Sequence, residues 1–276
     1  MKRVRGFIRL YAAAKITCLI IASLIVATGG LPDMSHALIT ILTALASLTS
    51  VTIINDYFDI EKDKTRKLKR PLCMELITKD NAVALSAFLF TLSLALSHYF
   101  LNPFCTALIL INTIIVIIYS YNKERSPLTE LYQGYFNGSV ILFGGLSISP
   151  GNIAITKLIL ILSTLIALTS SARKIAHNID NQDGIKYRKN TLATYYGDRM
   201  AGMISSSLLI IAIFISIIPI ASLGIKYQYI ISVADIILAY SGLRLLINTR
   251  YAMESHRFVK ISMILILIAF LVSALS

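Results

Sequence analysis

Long apolar runs alternate with short polar segments along the whole chain. Each run holds roughly the 20 apolar residues that a helix needs to cross a hydrocarbon layer of about 30 Å. Breakers such as "GGLPD", "LNP" and "SPG" separate several runs, and the alternation typical of membrane barrels does not occur. The pattern predicts an all-α, polytopic membrane protein with nine transmembrane helices. The nine runs lie near 10–30, 35–54, 80–100, 103–121, 131–149, 154–172, 202–222, 227–247 and 258–275.

The composition agrees with a membrane acting as the solvent. Hydrophobic residues make up 56% of the 276 residues and charged residues only 14%, whereas soluble domains average about 25% charged residues. No Pro-, Gly- or Ser-rich linker divides the chain, so we expect one domain over 1–276. Asp63 and Asp183 are each followed, nine residues later, by a Leu, which suggests that 1–121 and 131–247 are related halves.

The positive charge is distributed unevenly between the two sides of the predicted bundle. The net charge is +12, and 23 of the 26 Lys and Arg residues lie in or next to the polar segments on one side. The positive-inside rule makes that side cytoplasmic, so the amino terminus is expected inside and the carboxyl terminus outside. Polar loops would then cap a central cavity on the cytoplasmic side. This distribution argues against nucleic acid as a partner, and no obligatory protein partner is indicated.

The first polar segment is "NDYFDIEKDKTRKLKRP", residues 55–71. On one continuous helix, Asn55, Asp56, Asp59 and Asp63 would share a face. Carboxylates that converge at a membrane border repel each other unless a cation binds, and oxygen ligands favour Mg²⁺ or Mn²⁺. The neighbouring bases suit a phosphate-bearing ligand. A positive-inside cluster would explain the bases equally well, but it does not explain the acids.

The second polar segment is "SARKIAHNIDNQDGIKYRKNTLATYYGDRM", residues 171–200. Helical spacing places Arg173, Asp180 and Asp183 on one face. Because the two polar segments are expected at the same membrane surface, their acids could close on one cavity from opposite sides. The roles of His177, and of Lys15 and Asp235 inside nominal spans, stay open.

These segments together resemble the UbiA-type intramembrane prenyltransferases. "NDYFDIEKD" matches the NDxxDxxxD signature of that family, and "RPL" at 70–72 and "YSYNKE" at 119–124 are similar to two further family segments. "GIKYRKNTLATYYG" at 184–197 resembles the stretch after the second aspartate motif, and nine helices match the family plan. The second motif itself departs from the family's DxxxD, because its only two acids stand three residues apart.

The resemblance implies a Mg²⁺-dependent enzyme that binds a prenyl diphosphate, with two ions held by the two aspartate motifs. Its metal ligands would be Asn55, Asp59, Asp63, Asp180 and Asp183, and the four aspartates would be the catalytic residues. Lys123 would contact the diphosphate.

Charge and aromatic character add further candidates near the polar segments. Arg66, Arg70 and Lys189, with Lys123, could stabilise a departing pyrophosphate, although loop bases also meet lipid headgroups. The aromatic faces of Tyr57, Tyr119 and Tyr195 could stabilise an allylic cation. Tyrosines also serve as anchors at membrane interfaces.

The residues indicate the prenyl-transfer chemistry more clearly than they indicate the acceptor. Two lipophilic classes fit: aromatic acids of quinone synthesis, and the glyceryl phosphate ether of archaeal membrane lipids. The chain resembles the archaeal ether-lipid branch in its many bases, its lack of Trp and its amino-terminal "RGFIRLY". This resemblance favours geranylgeranylglyceryl phosphate as acceptor and geranylgeranyl diphosphate as donor. A transporter, or an inactive protein that binds prenyl lipids, is the alternative from another functional class.

Overall fold

The computed structural model describes an all-helical chain over residues 2–65, 72–75, 77–122, 126–148, 151–180 and 190–275. Within these ranges the side chains of 2–11, 62, 63 and 65 are not described. The α-helices are α1 Lys2–Thr28, α2 Met34–Phe58, α3 Ile60–Thr65, α4 Lys79–Leu96, α5 Pro103–Asn122, α6 Thr129–Ile148, α7 Ile153–Asp180, α8 Leu192–Tyr196, α9 Asp198–Ile217, α10 Ile220–Ile247 and α11 Ala252–Ala274. A short π-helix, Ser97–Leu101, extends α4, and a 3-10 turn, Thr249–Tyr251, precedes α11.

Seven helical segments of the described chain are long and apolar enough to cross a membrane, which makes this an integral membrane protein. They comprise α2, α4 with its π-helical extension, α5, α7, α9, α10, and α11 with its preceding turn. The other two predicted spans lie in α1, whose apolar part is Ala12–Thr28, and in α6. The count of nine therefore stays a prediction.

Helix α6 lies between α1 and α7 and packs closely against both. A Cβ atom at Gly134 or Gly138 would collide with backbone carbonyl oxygens of α7, those of Ala167 and Ser163. Small residues allow this close approach, as is common between helices in membranes. Because α6 packs between other helices, it can carry the part-buried Asn137, which is paired with Lys15 of α1.

Buried serines join the hairpins that surround this centre. Ser50 of α2 and Ser86 of α4 exchange hydrogen bonds through side chains and backbone. Ser241 of α10 and Ser255 of α11 lie 2.7 Å apart at their hydroxyl oxygens. Such bonds satisfy polar groups where no water is available. They stabilise a bundle in which α2, α5 and α7 end, and α6 begins, at the same end of the molecule.

Candidate active site

The first polar segment is interrupted at Asp59. Helix α2 ends at Phe58, Asp59 is its C-cap with φ −89° and ψ 0°, and α3 begins at Ile60. The expectation of one continuous helix from Asn55 to Asp63 was therefore wrong. Asp has a low preference for helix interiors because its side chain competes with the backbone for hydrogen bonds. The Asp63 side chain lies outside the described residues.

Asn55 connects the first polar segment to α5. Its Oδ1 accepts a hydrogen bond of 3.1 Å from the Ser120 hydroxyl. Its Nδ2 lies 3.5 Å from Asp59 Oδ2, at the limit of a hydrogen bond. Asp56 and Asp59 are both buried. Asn55 thus turns its amide nitrogen towards Asp59 and its carbonyl oxygen towards Ser120, and α5 holds the amide in this orientation.

Tyr119 lies between the two polar segments. Its ring packs against Tyr132 of α6, with the ring centroids 4.6 Å apart. The hydroxyl lies within electrostatic range of the carboxylates of Asp59 and Glu130. Tyr119 therefore lies near one of the first acids and also near an acid that the sequence did not single out, while its role at the prenyl chain stays a prediction.

Glu130 is that additional residue, and it is completely buried in the first turn of α6. Its Oε1 accepts a 2.8 Å hydrogen bond from Asn178 Nδ2 and a 3.3 Å bond from the backbone N–H of Leu192. The neighbouring Thr129 hydroxyl donates to the carbonyl of Asn190 at 3.1 Å. The start of α6 therefore holds both ends of the stretch that carries the second acids. In the sequence Glu130 looked like an ordinary acid at a helix start, so no local signal distinguished it.

The second polar segment is described only in part. Asp180 is the last residue of α7 and is exposed. Tyr195 lies in α8, where 59% of its surface is exposed, and packs on Tyr196. His177 packs against His256 of α11 with a centroid distance of 4.9 Å. The remaining predicted site residues lie outside the described part: Arg66, Arg70, Lys123, Asp183 and Lys189.

An apolar groove begins beside the first acids and continues into the bundle. Its larger part, about 390 Å³, is lined by α2, α4 and α5 and includes Tyr57 and Phe58. Its smaller part, about 80 Å³, is lined by α2, α5 and α6 and reaches Ala44 and Phe143. The two parts share Val51 and Val116 in their walls, so they are adjacent. Of the three predicted tyrosines, only Tyr57 lines this groove.

The donor atoms at the polar end fit a hard divalent cation. Asp59 offers carboxylate oxygens, which Mg²⁺ prefers. The Asn55 carbonyl oxygen has two lone pairs and the Ser120 hydroxyl uses one, so the other stays available. Among the side chains that the structure describes, no group of three His, Cys, Asp or Glu residues forms a metal cluster. The side chains of Asp63 and Asp183 lie outside that described set.

A bundle with an acid-bearing polar end above an apolar groove defines the class of an intramembrane enzyme that acts on a lipid with an anionic head. Residues 16–270 match the model of the UbiA prenyltransferase family, and the chain belongs to that family. It is therefore a prenyltransferase, as the sequence predicted. UbiA prenyltransferases generally use Mg²⁺.

Individual relatives agree with this assignment. The chain is 31% identical over 249 residues to digeranylgeranylglyceryl phosphate synthase of Methanothrix thermoacetophila, covering 89% of both chains. It is 32% identical over 222 residues to the protein of the same name from Methanosarcina mazei, covering 79% of this chain and 75% of the relative.

Solved structures show the same fold. A structure described as digeranylgeranylglyceryl phosphate synthase in membranes superposes with a TM-score of 0.85 at 27% identity, over 100% of this chain and 99% of the other. The apo structure of a UbiA homolog from Aeropyrum pernix K1 gives a TM-score of 0.69 at 17% identity, covering 94% and 97%. The second likeness supports the fold alone.

Proposed function

We propose that this protein transfers a geranylgeranyl group from geranylgeranyl diphosphate to geranylgeranylglyceryl phosphate, forming a second ether bond in an archaeal membrane lipid. One observation carries the proposal: the buried Asp59 and its neighbour Asn55 are adjacent in the chain to Ile54 and Phe58, which line one end of an apolar groove that runs down α2. A prenyl diphosphate has the matching shape, with an anionic head and a long apolar tail.

The length of the groove fits a long prenyl chain. From Tyr57 to Ala44 the groove follows α2 for about 20 Å, at roughly 1.5 Å per residue. An extended geranylgeranyl chain, with four isoprene units, needs about the same length. Phe143 and Ile109 line the far part of the groove, close to Ala44. A shorter donor would leave this part unfilled and lose the corresponding contacts.

The polar end would hold the diphosphate and support its departure. Bound there, Mg²⁺ would neutralise the charge that develops on the leaving pyrophosphate. Asn55, through its carbonyl oxygen, and Asp59 would be ligands for such an ion, and Asp63, Asp180 and Asp183 would complete the proposed set. Arg66, Arg70, Lys123 and Lys189 remain the proposed diphosphate contacts, as point charges or hydrogen-bond donors. Tyr57, at the groove mouth, would present an aromatic face to the allylic carbon and exclude water from it.

The acceptor is proposed from the relatives and from the chemistry of the bond. The relatives named above are digeranylgeranylglyceryl phosphate synthases. In the transfer, the bond between C1 of the prenyl chain and the diphosphate oxygen breaks, and its electron pair leaves with pyrophosphate. The free hydroxyl oxygen of the acceptor then bonds to C1, and its proton passes to the released pyrophosphate. The products are the diether phosphate and protonated pyrophosphate.

The test is an acceptor competition with purified protein in lipid nanodiscs. Labelled geranylgeranyl diphosphate is supplied with equal amounts of geranylgeranylglyceryl phosphate and 4-hydroxybenzoate, and the products are separated by chromatography. We expect label in the diether phosphate only. Exclusive labelling of the aromatic acid would overturn the acceptor while leaving a prenyltransferase.

A pair of matched variants tests the site in the same assay. Asp59→Asn should abolish turnover, whereas Asp80→Asn should not. Asp80 is an exposed acid in the first turn of α4, at the same end of the bundle, so it controls for general loss of negative charge there. Turnover of Asp59→Asn at the wild-type rate would show that the buried acid has no part in the reaction.

A further inference from the structure

Lys15 lies in α1 within an apolar helical stretch and faces the interior of the bundle. Its ammonium donates a 2.7 Å hydrogen bond to Asn137 Oδ1 on α6. Within the described residues it forms no ion pair with a carboxylate. A lysine at such a position is costly in a membrane protein and commonly marks a functional site.

The pairing with Asn137 leaves an excess of hydrogen-bond donors. Because Asn137 Oδ1 faces the ammonium, its Nδ2 must point the other way, and there it is buried with no acceptor among the described residues. The ammonium has three N–H groups and uses one of them in this bond. Buried polar groups in proteins are normally paired. The two remaining N–H groups of the ammonium could therefore bind an acceptor group that has several oxygen atoms.

Arg173 of α7 is a second cation, and it lies within electrostatic range of Lys15. Two like charges in a partly desolvated site repel each other, and an anion placed between them would remove that repulsion. Arg173 can keep its other contacts and still bind such an anion, because the guanidinium has five N–H donors.

Lys15 points towards the polar end and contacts a different side of α6 from the prenyl groove. Helices α1 and α6 run parallel, since Lys15 lies at the level of Asn137 and Ser23 at the level of Gly144. Lys15 therefore directs its side chain back towards the polar end, as helical side chains tilt towards the helix start. On α6, Asn137 lies about 100° around the helix from the groove-lining Phe136.

We propose that Lys15 and Arg173 bind the phosphate monoester of the acceptor lipid and that Asn137 positions the Lys15 ammonium, an inference that rests on the proposed function. The two substrates would then flank α6, the donor chain on its α2 and α5 side and the acceptor phosphate on its α1 and α7 side. A phosphate monoester offers three oxygen acceptors and close to two negative charges, which matches the excess donors and the two cations.

The test compares two acceptors that differ only in the phosphate: geranylgeranylglyceryl phosphate and geranylgeranylglycerol. In the wild-type protein, kcat/KM should favour the phosphorylated acceptor. In Lys15→Gln this preference should fall at least tenfold, while the KM for geranylgeranyl diphosphate stays unchanged. Lys15→Arg should restore most of the preference. If Lys15 had only a structural role, its replacement would lower kcat/KM for both acceptors by the same factor. An unchanged ratio of the two values would therefore overturn the proposal.

Two further variants keep the test decisive. Lys260→Gln is the matched control, because Lys260 is an exposed lysine about two turns into α11 from the same end of the bundle; it should keep the wild-type ratio. Asn137→Asp supplies an internal anion to Lys15, so it should lose the phosphate preference even if Lys15→Gln does not fold. A wild-type ratio in folded Asn137→Asp refutes the site. Failure of the proposed function is a different result, since the wild-type protein would then prenylate neither acceptor.

Discussion

Replacing Glu130 by Ala should release the stretch 178–192 from the start of α6. The change leaves Asn178 Nδ2 and the Leu192 N–H without their acceptor, and each unpaired buried donor costs about 1–3 kcal/mol. The Leu192 bond is long and Asn178 is half-buried, so we expect roughly 2–4 kcal/mol in total. Glu130→Gln keeps a carbonyl oxygen for both donors and should cost about 1 kcal/mol or less.

Hydrogen–deuterium exchange of the detergent-solubilised protein measures this directly. At about 1.4 kcal/mol per factor of ten, the backbone amides of 178–180 and 190–192 should exchange roughly 30 to 700 times faster in Glu130→Ala. Peptides from α10 and α11 should be unchanged and serve as the internal reference. The Mg²⁺ concentration for half-maximal activity should also rise in the Ala variant but not in the Gln variant, because Asp180 is then less firmly held. Unchanged exchange in Glu130→Ala, or equal acceleration in both variants, would refute the reasoning.

Three further predictions concern the metal, the groove and the topology. Chelation with EDTA should abolish turnover and Mg²⁺ should restore it, whereas Asp59→Asn should stay inactive at any Mg²⁺ concentration; activity that survives EDTA contradicts the metal site. Ala44→Phe should obstruct the far end of the groove and exclude one isoprene unit, which should weaken binding of the geranylgeranyl donor by roughly 3 kcal/mol. Steady-state kinetics should show little change with farnesyl diphosphate. Equal losses with both donors would count against the groove. In a background without the native cysteines, single cysteines at Thr65 and Asn190 should be protected from an impermeant thiol reagent in intact cells while one at Ser276 reacts; labelling of 65 from outside would reverse the proposed orientation.

The sequence by itself determined the class of protein and the first half of the site. Apolar runs of membrane-spanning length are a local property, so the helical membrane fold followed from them directly. Asn55 and Asp59 are one helical turn apart, and their proximity needs only local backbone geometry. The interruption at Asp59 was missed because an apolar periodicity does not report where a helix ends.

Only the tertiary structure decided how the polar residues combine. Glu130 meets Asn178 and Leu192, and Lys15 meets Asn137, across separations of 48 to 122 residues. No periodicity along the chain encodes such pairs, because they depend on which helices become neighbours and on their relative register. The polar character of α6 has the same origin. A helix that packs between other helices need not be apolar on every side, and Glu130 and Asn137 each find a hydrogen-bond partner far away in the sequence.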